Sequence, residues 1–361
     1  MERREAGAAR RLAPDEMTSR PRGKGPPASE FRIEPFVPAR WLRSRHAQTI
    51  CGRLLRREPP LPFRRERVDT PDGDFVDLDF PELGAGEAAP LVVLMHGLEG
   101  FARRGYALNV YRELAARGVA AVGLNFRSCS GEPNRRARFY HSGDTGDIRH
   151  VLELLASRWP ERSLGAVGFS LGGNALLKYL GEEGEAARLS AAAAVSVPYD
   201  LGAGADLLEQ DRMGRWYTRL FIKTLVEKAE AKGPLMEAAG IDLERVRSAR
   251  TFREFDDAAT APLHGFADAT DYYRRSSSAA FVSRIQVPTL LLQADDDPFL
   301  PPRAFPWEAV RSNPWVRAEM THGGGHVGFI AGSAWRPVFW AERQAARFLA
   351  ERLASRARRG S

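Results

Sequence analysis

Ser170 stands in the run Gly168-Phe169-Ser170-Leu171-Gly172. Before it, Leu164 to Phe169 is apolar without a break and reads as a buried strand. After it, Ala175 to Leu180 reads as a helix. A serine on so sharp a strand-to-helix turn holds its hydroxyl clear of the sheet, where it can attack an acyl carbon. Side chains at 168 and 172 would collide with neighbouring backbone, so glycine is needed at both. The helix N-terminus beneath the hydroxyl favours developing negative charge.

An activated serine needs a base in hydrogen-bond reach, an acid to orient the base, and donors for an oxyanion. In a parallel sheet all of these come from loops at the carboxyl ends of strands. The expected chain order is serine, acid, histidine. After the last predicted strand the chain reads Thr321-His322-Gly323-Gly324-Gly325-His326-Val327-Gly328. His326 has flexible glycines before it and small apolar residues after it, which lets the ring dip into a tight site. His322 leaves the strand at once and suits a surface role. The His-Gly-Gly-Gly string imitates a lipase oxyanion motif, but it lies after the serine and not behind an early strand. The acid is expected after the preceding strand, in Asp295-Asp296-Asp297-Pro298. Spacing hardly separates the three. Proline fixes the geometry beyond Asp297 and favours it; Asp296 is the alternative. For the oxyanion, the N–H of Leu171 and that of Leu98, in His96-Gly97-Leu98-Glu99-Gly100, are the expected donors. His96 is expected to hold that loop by hydrogen bonding.

The elements that must position these groups follow from periodicity. Arg65 to Asp69 and Phe75 to Phe80 read as strands around a Pro71-Asp72-Gly73 turn. Asp77 and Asp79 alternate with apolar neighbours, as in an edge or near-edge strand. Pro90–Met95, Val119–Leu124, Leu164–Phe169, Ala191–Val197, Val287–Leu292 and Trp315–Met320 read as further strands. Helices are expected at Arg104–Arg117, Thr145–Arg158 and Phe339–Arg352, with a short one at Arg45–Ile50. Asp144 and Asp147 read as capping and first-turn charge. The alternation predicts an α/β fold, a mostly parallel sheet flanked by helices. From 201 to 280 no strand pattern appears, only helical stretches near 205–225, 241–248 and 266–274. That insertion has the position and size of a helical cap. The expected organisation is a disordered basic tail at 1–30, a core at 31–200, the cap at 201–280, the rest of the core at 281–352, and a basic tail at 353–361.

Bulk composition narrows the function classes. The formal net charge is +7, but residues 1–67 carry 17 Arg and Lys against 8 Asp and Glu, so the rest is slightly acidic. The basicity therefore belongs to the N-terminal segment, and nucleic acid is not an expected partner. No run of apolar residues is long enough to span a bilayer, so no stable membrane insertion is expected. No secretory signal opens the chain, and two cysteines make no disulfide framework; a cytoplasmic location is the expectation. There is no zinc signature, no Walker A motif and no G-x-G-x-x-G after a strand, so no cofactor and no metal are expected. Monomer and homodimer are equally compatible with the sequence.

Several longer motifs resemble one family. They are His96–Gly100, Phe126–Arg135, Tyr140–Gly143, Gly168–Asn174, Ser196–Leu201, Phe255–Asp257, Thr260–Phe266, Asp296–Phe299 and Gly324–Phe329, with His46-Ala47-Gln48-Thr49 near the start. Together they resemble the α/β-hydrolase fold proteins, and within them the bacterial YheT-like hydrolases, which are similar to mammalian ABHD-type membrane esterases. The resemblance implies a Ser170, Asp297, His326 triad, hydrolysis of small-molecule or lipid carboxylic esters, and a helical cap. Phe101 stands where the family usually has a small polar residue, which implies a narrower, more apolar pocket mouth. Trp216, Tyr217, Leu220 and Phe221 form a cap face suited to a short or medium acyl chain, and His264, Tyr272 and Tyr273 are further candidates to line the cleft. The same triad would serve a thioesterase or a lipid or amide hydrolase. A non-catalytic binding protein is the rival from another class, and an intact serine, acid and histidine in the right order argue against it.

Overall fold

The computed structural model describes residues 31–56, 60–86 and 88–357, with side chains to residue 354. The expected tail at 1–30 and residues 358–361 lie outside them. The chain opens with helix α1 (Arg45–Leu55), then strands β1 (Phe63–Asp69), β2 (Phe75–Pro81) and β3 (Leu91–Met95). Alternation follows: α2 (Gly105–Ala115), β4 (Ala120–Asn125), α3 (Gly146–Arg158), β5 (Leu164–Phe169), α4 (Leu171–Glu183) and β6 (Ala191–Val195). The helical insertion comprises α5 (Leu201–Gln210), α6 (Arg212–Ala231), α7 (Gly233–Ala238), α8 (Leu243–Ser248), α9 (Phe252–Phe255), α10 (Ala261–His264) and α11 (Ala269–Ser276). The chain returns through β7 (Thr289–Ala294), α12 (Trp307–Ser312), β8 (Val316–Thr321), the hairpin β9 (Ile330–Ser333) and β10 (Arg336–Phe339), and α13 (Trp340–Ala357).

Eight strands form one sheet in the order β1-β2-β4-β3-β5-β6-β7-β8. β1, β2 and β4 pair antiparallel, and every pairing from β4 to β8 is parallel. Central strands buried on both faces explain the unbroken apolar runs. On one face Ile148, Leu152, Leu176 and Leu180 of α3 and α4 cover the sheet. On the other, Val110 and Leu114 of α2 meet Phe348 and Leu349 of α13. This layering brings the carboxyl ends of β3, β5, β7 and β8 to one edge, where the candidate residues sit.

Three local differences from the sequence pattern have physical reasons. The alternating aspartates of β2 do not face water: Asp77 accepts both ends of the Arg67 guanidinium (2.9 and 3.1 Å). Asp79 accepts Arg65 (2.8 and 2.9 Å) and Arg103. The single helix expected over 205–225 breaks at Asp211, whose carboxylate accepts the Gly214 N–H (2.7 Å) and caps a new helix. The closing helix runs on to Ala357 because Leu353 still finds a buried place against Gly165.

The insertion meets the core through a buried aromatic cluster. The His141 ring packs on His264 (4.4 Å), Phe266 (5.4 Å) and Tyr272 (5.5 Å). Loss of hydration pushes His141 down to about 4 and His264 down to about 3. Both rings are therefore neutral in the fold, whereas the unfolded chain binds protons below about 6.5. Their contribution to stability is complete above that pH and is lost as the pH falls toward 4, by up to about 1.4 kcal/mol per pH unit for each ring. His264→Phe keeps the ring contact and removes a buried Nε2 that has no partner among the described residues. Denaturant titrations across this range are expected to show a shallower acid loss for the variant; superimposable pH profiles would exclude the pair as the source.

Candidate active site

β5 runs straight into α4, and Ser170 between them has φ 51° and ψ −118°, a conformation costly for a residue with a Cβ. Two close approaches enforce it. A Cβ on Gly168 would lie 2.5 Å from the Gly172 carbonyl oxygen, and one on Gly172 would lie 2.5 Å from those of Met95 and His96. Those neighbours are backbone and cannot swing away. Gly172→Ala is therefore expected to cost at least about 2 kcal/mol, read as a lower denaturation midpoint; an unchanged midpoint would mean that the turn is not clamped as described.

His326 lies in the loop after β8. Its Nε2 is 3.0 Å from Ser170 Oγ, and its Nδ1 is 2.8 Å from Asp297 Oδ2. A carboxylate only accepts, so Nδ1 carries the proton donated to Asp297, and in the neutral ring Nε2 then accepts from the serine hydroxyl. The Asp297 side chain is fully buried, and its other oxygen accepts the Phe299 N–H (2.9 Å). The Phe299 ring covers the imidazole, with centroids 4.4 Å apart.

The three consecutive aspartates divide cleanly. Asp295 turns to the exposed His322 (2.8 Å) and accepts the Gly323 N–H (2.9 Å). Asp296 accepts the Gly325 N–H (2.8 Å), bracing the loop just before His326; burial pushes its carboxyl above the usual range. Asp297 alone reaches His326. The loop glycines supply room and left-handed turns, not looseness. Gly323, Gly324 and Gly325 all have positive φ, and a Cβ on Gly325 would stand 2.5 Å from the Arg45 carbonyl of α1.

The loop after β3 lies against the serine: a Cβ on Gly97 would stand 3.2 Å from that of Ser170. Its backbone donors are nearly all committed. The Gly97 N–H donates to Tyr106 Oη (3.1 Å), the Glu99 N–H to Tyr140 Oη (2.7 Å) and the Gly100 N–H to the Gly97 carbonyl (2.9 Å). Among the described residues no hydrogen bond engages the N–H of Leu98 or of Leu171. Buried His96 spans two loops, with Nδ1 at 2.8 Å from the Gly97 carbonyl and Nε2 accepting the Phe126 N–H (3.2 Å). Burial pushes it down to about 3, so it stays neutral and serves as a brace.

A serine elbow after the fifth strand, a histidine loop after the eighth and a mostly parallel eight-stranded sheet agree with a sequence match to the model for the alpha/beta hydrolase fold, over residues 90–333. The chain belongs to the α/β hydrolase fold family. The Escherichia coli (strain K12) protein YheT, whose name only proposes an esterase, is 40% identical over 87% of this chain and 93% of its own. The mouse phospholipase ABHD3 is 31% identical over 83% of this chain and 74% of its own. Among solved structures, the Pyrococcus furiosus esterase Pf2001 superposes with a TM-score of 0.51 at 16% identity, over 88% of this chain and 98% of that one, a likeness of fold. No helix among the described residues is long and apolar enough to cross a membrane.

This α/β hydrolase also holds its site with residues that periodicity did not single out. α1 supports the histidine loop: Thr49 Oγ1 accepts the His326 N–H (2.9 Å), and Gln48 bonds both backbone groups of Ile330. Their signal lay in the His46–Thr49 motif, whose purpose the sequence alone did not reveal. Lys228 of α6 donates to Glu99 (2.8 Å), which also accepts from Tyr140 (3.0 Å), so the insertion is tied to the loop carrying Leu98. The four apolar residues expected to share one face of the insertion divide in two. Tyr217 and Phe221 point inward, with ring centroids 4.7 and 6.1 Å from Phe299. Trp216 and Leu220 point outward, 42% and 48% exposed, because a one-residue offset along α6 turns the second pair about 100° away from the first. Tyr272 and Tyr273 are committed to Ser142 and Asp256 by their hydroxyls (3.0 and 2.7 Å), and with His264 they join the insertion to itself and to the core.

Proposed function

We propose that this chain is a serine hydrolase of carboxylic esters, working through an acyl-enzyme on Ser170. The observation that carries the reading is the unbroken line from Asp297 through His326 to Ser170, at 2.8 and 3.0 Å. His326 Nε2 takes the hydroxyl proton as Oγ bonds to the acyl carbon. The N–H groups of Leu98 and Leu171 receive the oxyanion, the second from the first turn of α4. When the tetrahedral intermediate collapses, the bond to the alcohol oxygen breaks and His326 returns the proton to that oxygen. Water, deprotonated by the same imidazole, then releases the acid and restores Ser170. Asp297 fixes the tautomer and stabilises the imidazolium.

The insertion acts as a cap. Tyr217, Phe221 and Phe299 place aromatic surface beside His326, which suits the acyl part of a short- to medium-chain ester or a small lipid ester. A relative named as a phospholipase supports the lipid end of that range. The test is labelling of the purified chain with an alkyl fluorophosphonate, beside Ser170→Ala, followed by turnover of p-nitrophenyl esters of increasing acyl length. Labelling restricted to wild type and a chain-length optimum are expected. A folded wild type that neither labels nor turns over any ester would overturn the reading.

A further inference from the structure

Helix α6 carries two faces of different chemistry. Tyr217, Thr218 and Ile222 are buried, and Phe221 points toward the site. On the opposite side of the first three turns, Arg212, Arg215, Trp216, Arg219, Leu220 and Lys223 are all exposed. At 100° per residue these six fall within one face. The four cations face little opposing charge. Arg212 and Arg219 have no ion-pair partner among the described residues, and Lys223 meets Glu227 only at 3.8 Å. Asp211, at the start of the helix, is spent on capping Gly214 and lies 3.9 Å from Arg45 of α1. α1 itself is seated on α6 through His46, which lies 3.2 Å from the Tyr217 hydroxyl.

We propose that this outer face of α6 is a peripheral docking surface for an anionic lipid bilayer. Charge complementarity with anionic headgroups supplies the attraction. Trp216 and Leu220, set among the cations, select a bilayer over an acidic protein, since they reach the acyl boundary while the guanidinium groups stay among phosphates. The helix does not cross the membrane; it lies on it. Docking there sets the lipid interface about one helix diameter from Phe299 and His326, because Tyr217 and Phe221 on the inner side of the same turns pack on Phe299. That a lipid ester is then hydrolysed rests on the function proposed above, whereas docking does not.

The test is sedimentation of the full chain with vesicles of phosphatidylcholine alone and of phosphatidylcholine mixed with phosphatidylglycerol. Salt-sensitive binding to the mixed vesicles only is expected. Arg215→Glu with Arg219→Glu is expected to weaken it by more than about tenfold, and Trp216→Ala with Leu220→Ala by about fivefold or more. Both pairs are exposed, so unchanged hydrolysis of p-nitrophenyl acetate certifies the fold and the site. Binding that survives both pairs overturns the proposal. So does binding lost with the arginines but kept without Trp216 and Leu220, which would mean a generic polyanion contact. A wild type that binds the mixed vesicles and turns over no ester would sink the hydrolase reading and leave the docking surface standing.

Discussion

Ser170→Ala is expected to lower kcat by about 10⁵- to 10⁶-fold while leaving the fold intact, because the proposed nucleophile and base act as one unit. The same geometry gives His326→Ala a loss of similar order. The double variant is expected to be no worse than either single one, since removing the second partner of a broken relay removes nothing further. What activity remains is expected to come from the proposed Leu98 and Leu171 donors and from substrate binding. Stability behaves differently. Alanine meets the same backbone penalty as serine at φ 51°, so its midpoint should match wild type. Ser170→Gly releases that strain and should be at least as stable, yet inactive. Turnover and denaturation measured on the same preparations check both halves. Retention of more than about 1% of activity by Ser170→Ala would remove this serine from the mechanism, given the scale of the expected loss.

What could be read from the chain depended on how local the cause was. The elbow was legible because its whole logic, an apolar strand, a clamped serine and a helix start, lies within about one dozen residues around Ser170. The central strands were legible because burial on both faces writes an unbroken apolar run. Thr49 and Gln48 were not legible as supports of His326, since the contact joins residues 277 positions apart and a lone threonine or glutamine carries no periodic signal. The outward turn of Trp216 and Leu220 was hidden for the opposite reason. Apolar residues on a helix normally mark its packed face, and here the packed face is supplied by Tyr217, Ile222 and their neighbours while two apolar residues are left in solvent. The hairpin β9–β10 also escaped notice: four-residue strands containing Gly332 and Pro337 are too short and too interrupted to announce themselves.

The second large effect separates two adjacent carboxylates that spacing leaves almost equivalent. In Asp297 both oxygens already accept, one from the His326 Nδ1–H and one from the Phe299 N–H. Asparagine has a single acceptor oxygen. If that oxygen keeps the Phe299 N–H, the amide NH₂ faces Nδ1 and drives the ring proton to Nε2, where it can no longer take the serine proton. If the amide flips, two donors meet at Phe299 in a site with no water-exposed surface on the side chain. Either way Asp297→Asn is expected to lose about 10⁴-fold in kcat with KM little changed. Asp296 accepts one loop N–H, that of Gly325, and an asparagine there can keep it by turning its oxygen inward. Asp296→Asn should therefore lose less than about tenfold, the effect of a slightly loosened loop. The single-turnover rate of ester cleavage for the two variants is the measurement. Equal losses, or a larger loss at 296, would mean that the acid which orients His326 during turnover is not the one that pairs with it at 2.8 Å, and that the loop rearranges when substrate binds.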